Sequence, residues 1–213
     1  MIIEIIKQVK ENLIGRYADA GDASKTLLNI VKTAGDGHYL EIGVLHGGSL
    51  CAVAMLKQKL GHSGICVGVD PLNGYYLKRT GKLADKTAIP VTEKTVQENI
   101  DKFGLSNIEL IKAYSPNFKT DKIFNIAYID GDHSAKGIWD DWMKVKDITT
   151  QYCCFHDYGA IDSVTESVDK VIKNYPEWQL FKQINHIAIL RKVARKQSRT
   201  IQVSNVGQVN SRK

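Results

Sequence analysis

The sequence predicts an α/β fold: a mostly parallel sheet with helices on both faces, finished by an antiparallel pair at its C-terminal end. Two patterns predict it. Five short apolar runs of strand length are interleaved with segments of helical spacing, and such alternation closes as parallel strands joined by crossover helices. The last two runs, Gln179–Ile184 and His186–Leu190, are separated by Asn185 alone, a hairpin spacing. A chain of 213 residues, 43% hydrophobic and 24% charged, suits one globular domain with a full core.

Taken in order, residues 2–14 and 23–34 repeat apolar side chains at helical spacing and are joined by Asp19-Ala20-Gly21-Asp22. The first buried strand is Tyr39–Val44, followed by a glycine-containing turn and a helix from Ser49 to Leu60. The second strand, Ile65–Asp70, leads to a long connection, residues 71–91, that carries Tyr75, Tyr76, Lys78 and Arg79. So long a segment beside a strand end is expected to be a lid or recognition loop, with a solvated insertion as the alternative. A helix over Thr92–Phe103 precedes the third strand, Ile108–Lys112. The fourth strand, Asn125–Asp130, is followed by a helix over Ala135–Lys146, and the fifth, Tyr152–His156, by a helix over Ser163–Asn174. Trp139 and Trp142, three apart, belong to one helix face, in the core or at a dimer contact. Asp140 and Asp141 beside them are expected to be solvated, with Asp141 alternatively orienting a histidine.

Charge and cysteine usage narrow the function classes. The net charge of +6 is concentrated at the end, where residues 191–213 hold seven Lys and Arg and no acid. Without them the body, residues 1–190, is near −1, so nucleic acid is not the expected substrate, and the tail reads as disordered and solvated. No Asn/Asp-Pro-Pro-Tyr/Phe signature of amino-methylating nucleic-acid enzymes follows the fourth strand. Cys51, Cys66, Cys153 and Cys154 sit in apolar runs without metal-ligand spacing and read as buried thiols; on a strand, 153 and 154 point to opposite faces. No apolar run is long enough to span a membrane, and the acid in the first turn argues against a signal peptide, which makes a cytoplasmic protein the expectation.

The chemistry is expected at the strand ends. Gly43 and Gly47 allow a tight turn and close backbone approach, and the helix that follows offers free N–H groups to an anion. Leu45 stands where dinucleotide-binding loops carry their second glycine, which disfavours a nicotinamide enzyme. Asp70, ending the second strand, suits the two hydroxyls of a ribose; a turn-capping role before Pro71 is the alternative. Asp130-Gly131-Asp132-His133 ends the fourth strand and His156-Asp157-Tyr158 the fifth, so two acids and two histidines converge on one rim.

Glu41-x-Gly43-x-x-x-Gly47-x-Ser49 after a buried strand resembles the first motif of class I S-adenosylmethionine-dependent methyltransferases. The strings Ile129-Asp-Gly-Asp-His-Ser134, Trp139-Asp-Asp-Trp142 and Phe155-His-Asp-Tyr158 resemble the cephalosporin and macrolide-sugar (rhamnosyl-type) O-methyltransferases and, more distantly, catechol O-methyltransferase. The resemblance covers roughly residues 38–190. It implies a Rossmann-like, seven-stranded sheet of order 3-2-1-4-5-7-6 and S-adenosyl-L-methionine as cofactor. It implies Glu41 as anchor of the methionine amino group and the loop, Ser49 at the carboxylate, Asp70 at the ribose and Ser115 at the adenine. It implies a divalent cation, Mg or Mn, on Asp130, His156 and Asp157, and His133 as base toward a hydroxyl of a sugar, glycan or small natural product. His156 stands where metal-dependent relatives carry an acid, so a metal-free mechanism and a role for His156 as base stay open. Also open are a homo-oligomer, an NAD-linked oxidoreductase and a non-catalytic nucleotide-binding module.

Overall fold

The computed structural model describes residues 1–18, 20–75 and 87–193. Seven strands form the main sheet: β1 (His38–Ile42), β2 (Cys66–Asp70), β3 (Ile108–Lys112), β4 (Phe124–Ile129), β5 (Thr149–Phe155), β6 (Trp178–Ile184) and β7 (Ile187–Lys192). Their spatial order is β3-β2-β1-β4-β5-β7-β6, as the family resemblance implied. The first five strands run parallel, while β7 is antiparallel to both β5 and β6. The hairpin turns at Asn185 and His186, both in the left-handed region with φ of 50° and 62°. Two such residues make the tight connection whose twist matches that of the strands.

Among the described residues, six helices cover the sheet: α1 (Ile2–Asn12), α2 (Asp22–Ala34), α3 (Gly48–Lys59), α4 (Glu93–Lys102), α5 (Ala135–Val145) and α6 (Asp162–Asn174). The period of two along each strand divides the core. Leu40, Ile42, Val67, Val69, Ala127, Ile129, Cys153 and Phe155 meet α5 and α6 on one face. Tyr39, Cys66, Ile126, Tyr128, Tyr152 and Cys154 meet α1 to α4 on the other. Cys153 and Cys154 therefore enter opposite cores, and all four cysteines are buried and free. Trp142 is fully buried against Phe155, Tyr175 and Trp178, whereas Trp139 is only partly buried, beside Tyr175.

Three expectations are corrected. Asp141 is not solvated: it shares the buried face of α5 with Ile138, Trp142 and Val145 and is 2% exposed. Arg191 and Lys192 do not open a tail. They complete β7, because Gln179 and Trp178 of β6 pair with them, and Lys192 Nζ donates to the carbonyl of Thr149 at 2.9 Å. The first helix ends at Asn12, since Leu13 is already extended. Residues 76–86, with Tyr76, Lys78 and Arg79 of the lid expectation, lie outside the described residues, as do Asp19 and 194–213. No helix among the described residues is long and apolar enough to cross a membrane.

Strand order reverses between β1 and β4, whose successors leave to opposite sides of the sheet. That reversal opens a crevice above the C-terminal ends of the two strands. Every feature of the site lies on its rim.

Candidate active site

The β1 end and the β4 end touch through backbone. Gly43 has φ of 88°, and a Cβ there would stand 2.1 Å from the carbonyl oxygen of Asp130, so only glycine fits. Leu45, two residues on, also holds a positive φ, 52°, although it carries a side chain. The amides of Val44 and Leu45 donate to Asp70 Oδ2 at 2.9 and 3.2 Å, and that of Leu72 donates to Oδ1 at 2.8 Å. Asp70 thus caps the turn after β2 and ties down the β1 loop. Burial raises its carboxyl above the ordinary range, and the three N–H groups only partly offset that. The loop amides that would cradle a pyrophosphate in a dinucleotide fold are committed to this carboxylate.

Glu41 is fully buried behind the loop, on the α3 side of β1. It accepts from Tyr39 Oη at 2.7 Å and from Ser49 Oγ at 2.6 Å, and so fixes the first turn of α3. Ser49 itself reaches the crevice, whereas Glu41 lines neither of its two cavities.

The predicted acids and histidines converge. His156 Nδ1 lies 3.2 Å from Asp130 Oδ1 and 3.4 Å from Asp157 Oδ1. His133 directs Nε2 to Asp130 Oδ1 at 3.3 Å and Nδ1 to Asp157 Oδ2 at 3.6 Å. A turn with Asp157 at φ of 59° brings its carboxylate back toward β4; aspartate tolerates that region better than most residues. Burial alone would raise the Asp130 carboxyl, but hydrogen bonds with His133 and His156 hold it below its ordinary value. The hydrogen bond with Asp130 raises the His133 imidazole. The bond with His156 lowers Asp157.

Asp130, His156 and Asp157 each offer one ligand atom, all within 4.8 Å of one another. A divalent cation with bonds of about 2.1 Å holds neighbouring octahedral ligands about 3 Å apart. Separations of 3.2 and 3.4 Å fit such an ion, and the imidazole in the donor set suits Mn, Fe or Zn better than Mg.

Two cavities meet at the rim. The larger, about 700 Å³, is lined by Gly43, Asp70, Ala113, Ser115, Gly131 and Asp141 among others. The smaller, about 260 Å³, holds Ser49, Asp130, His133, His156 and Asp157 beneath Arg16 and Tyr17. Gly43, Gly131 and His133 border both. Within the larger, Ser115 Oγ donates to Asp141 Oδ1, and burial pushes the Asp141 carboxyl up to about 6. Sequence reasoning missed this pair; the signal was the spacing of Asp141 from Ile138 and Val145 on an apolar helix face.

It also missed His46, buried within the β1 loop. His46 Nδ1 accepts from the Arg16 amide at 3.2 Å, so Nε2 carries the proton and donates to the Ile89 carbonyl at 3.1 Å. Asn99 of α4 closes the arrangement. Its Oδ1 accepts from the Ile14 amide at 2.7 Å, and its Nδ2 donates to the carbonyls of Ile14 and His46, both at 2.9 Å. These bonds seat residues 14–18 over the smaller cavity, where Tyr17 packs on Gly48.

A seven-stranded sheet in this order, with its last pair antiparallel and its crevice at the switch point, defines the Rossmann-like methyltransferase fold. Residues 40–158 match the family described as "Methyltransferase domain", and the chain belongs to that family. An uncharacterized protein of Acanthamoeba polyphaga mimivirus is 28% identical over 182 residues, which are 78% of this chain and 73% of that protein. Among solved structures, the O-methyltransferase NovP superposes with a TM-score of 0.68 at 15% identity, covering 91% of this chain and 97% of that one. The calicheamicin methyltransferase CalS11 superposes at 0.59 and 15% identity, covering 89% and 91%. The methyltransferase PaMTH1 of Podospora anserina, solved with S-adenosylhomocysteine, does so at 0.59 and 11%, covering 91% and 88%.

Proposed function

We propose that the chain transfers the methyl group of S-adenosylmethionine to a hydroxyl of a sugar, glycan or small natural product. The observation that carries this reading is the meeting of the two cavities over Gly43, Gly131 and His133. The larger takes the nucleoside, with the ribose at Asp70 and the base at Ser115. Gly47, Ser49 and the α3 N-terminus receive the methionine carboxylate, because free N–H groups and the positive helix end favour an anion there. The sulfonium methyl then points past Gly43 toward the acid–histidine rim, where the acceptor lies in the smaller cavity.

The acceptor oxygen attacks the methyl carbon in line, and the S–CH₃ bond breaks with its electron pair remaining on sulfur. His133 takes the hydroxyl proton at Nδ1, which at 3.6 Å from Asp157 is outside hydrogen-bond reach, while Asp130 accepts from Nε2, orients the ring and, with Asp157, stabilises the imidazolium. Asp130, His156 and Asp157 would hold a divalent cation, which lowers the pKa of a bound hydroxyl. The structural likeness to NovP, an O-methyltransferase, and to CalS11, a calicheamicin methyltransferase, supports an oxygen acceptor on a natural product. CalS11 is a TDP-rhamnose 3'-O-methyltransferase, which supports a sugar.

Calorimetric titration with S-adenosylhomocysteine tests the cofactor assignment: micromolar binding is expected, weakened at least about tenfold in Asp70→Ala. A separate Mn²⁺ titration should give heat that Asp130→Ala abolishes. Folded protein that binds no S-adenosylhomocysteine with or without Mn²⁺ would sink the assignment.

A further inference from the structure

We propose that Asp141 sets the hydrogen-bond polarity of the larger cavity, so that Ser115 presents an acceptor there and the cavity prefers a purine with a 6-amino group over its 6-oxo counterpart. The proposal rests on the reading of that cavity as the nucleoside subsite.

A serine hydroxyl has one proton and two lone pairs, and an ionised carboxylate only accepts. Ser115 Oγ donates to Asp141 Oδ1, so its proton is spent inside the wall. What Ser115, half-buried on the cavity surface, has left for a ligand is lone pairs. A ligand atom meeting it must therefore be a donor. The amino group at C6 of adenine is a donor, whereas the carbonyl of hypoxanthine is not.

Two further observations point the same way. Asp141 Oδ2 is buried with no hydrogen-bond partner among the described residues. An orphaned acceptor at a cavity wall is costly and is relieved by a donor brought near it. Among the described residues the cavity lining also includes Asp132 and Asp140, the latter paired with Lys136 outside the lining, and no lysine or arginine. Its acidic wall attracts the positive edge of an amine and repels a carbonyl oxygen. Asp141 acts here as a positioning residue, through the Ser115 hydroxyl.

The test is the ratio of calorimetric affinities for S-adenosylhomocysteine and its deaminated analogue, S-inosylhomocysteine. The wild-type protein should prefer the 6-amino ligand by at least about tenfold. In Asp141→Asn the amide can donate to Ser115 as readily as accept from it, so the hydroxyl is free to turn. The preference should fall to within about threefold, and the same collapse is expected in Ser115→Ala. A merely structural role for Asp141 would weaken both ligands alike and leave the ratio unmoved. Thermal unfolding establishes that each variant is folded; if Asp141→Asn is not, Ser115→Ala decides. Equal binding of the two ligands by wild type, or an unchanged ratio in the folded variants, overturns the proposal. Binding of neither ligand by wild type overturns the subsite reading beneath it.

Discussion

Asp141 is an acid held where its charge is poorly solvated, and that has a sign. Its carboxyl is raised from 3.8 to about 6, mainly by burial, so the folded chain holds the proton more tightly than the unfolded chain does. The contribution to stability is therefore best below about pH 4, declines as pH rises through 6, and stays low above it. A shift of this size corresponds to a loss on the order of 3 kcal/mol. Asp141→Asn keeps the Ser115 contact without the charge. Its stability relative to wild type, measured by urea denaturation, should improve from pH 4 to pH 7 and then level off. A difference that does not vary with pH would contradict this account. Leu45 is the converse case, a residue whose side chain says one thing and whose backbone says another. Its Cβ marks a departure from dinucleotide loops, yet φ of 52° is a conformation in which glycine is at ease. The committed amides of Val44 and Leu45 explain the loop better than the missing glycine alone.

At the scale of elements, the strand ends were readable and the ties between distant segments were not. Apolar runs ending in Asp70, Asp130 and His156 can be found in a sequence because charge directly after a buried strand is expensive without a purpose. Adjacency of the fourth and fifth strands then brings His133, His156 and both acids together. The clamp of α4 on the N-terminal segment has no such signature. Asn99 looks like any polar residue of an amphipathic helix, and its partner Ile14 is 85 positions away. Nor could apolar content reveal that β7 runs on through Arg191 and Lys192, since pairing with β6 decides it. Asn99→Ala leaves the Ile14 amide, the Ile14 carbonyl and the His46 carbonyl without their partner. A cost of about 3 kcal/mol in chemical denaturation is expected. Amide exchange at Ile14 and Arg16 should accelerate well beyond the global change. Unaltered protection at these two amides would argue that α4 does not seat the segment.

For the whole molecule, the two-faced core followed from periodicity and the last antiparallel pair from hairpin spacing, while the strand order was what the family resemblance implied. What periodicity could not supply was the distribution of polar groups inside the core. Glu41, His46, Asp70, Asn99 and Asp141 are all buried, and each serves the crevice rim. Charge divides differently. Five of the basic residues, Arg195, Lys196, Arg199, Arg212 and Lys213, lie beyond residue 193, and without them the formal charge falls from +6 to +1. Removal of residues 194–213 should lower retention on a cation-exchange or heparin column while changing S-adenosylhomocysteine affinity less than about twofold. A large loss of affinity would assign the segment a part in the site.

The clamp by Asn99 also orders events in time. Arg16, Tyr17 and Ala18 wall the smaller cavity, but Asn99, whose side chain fixes the segment they belong to, follows Ile14 by 85 residues. Closing a loop of that length precedes any contact that rewards it. Because α4 precedes β4 and β5 in the chain, the segment can be seated as soon as α4 has emerged, before the strands that lead to Asp130 and His156 have been made and the crevice exists.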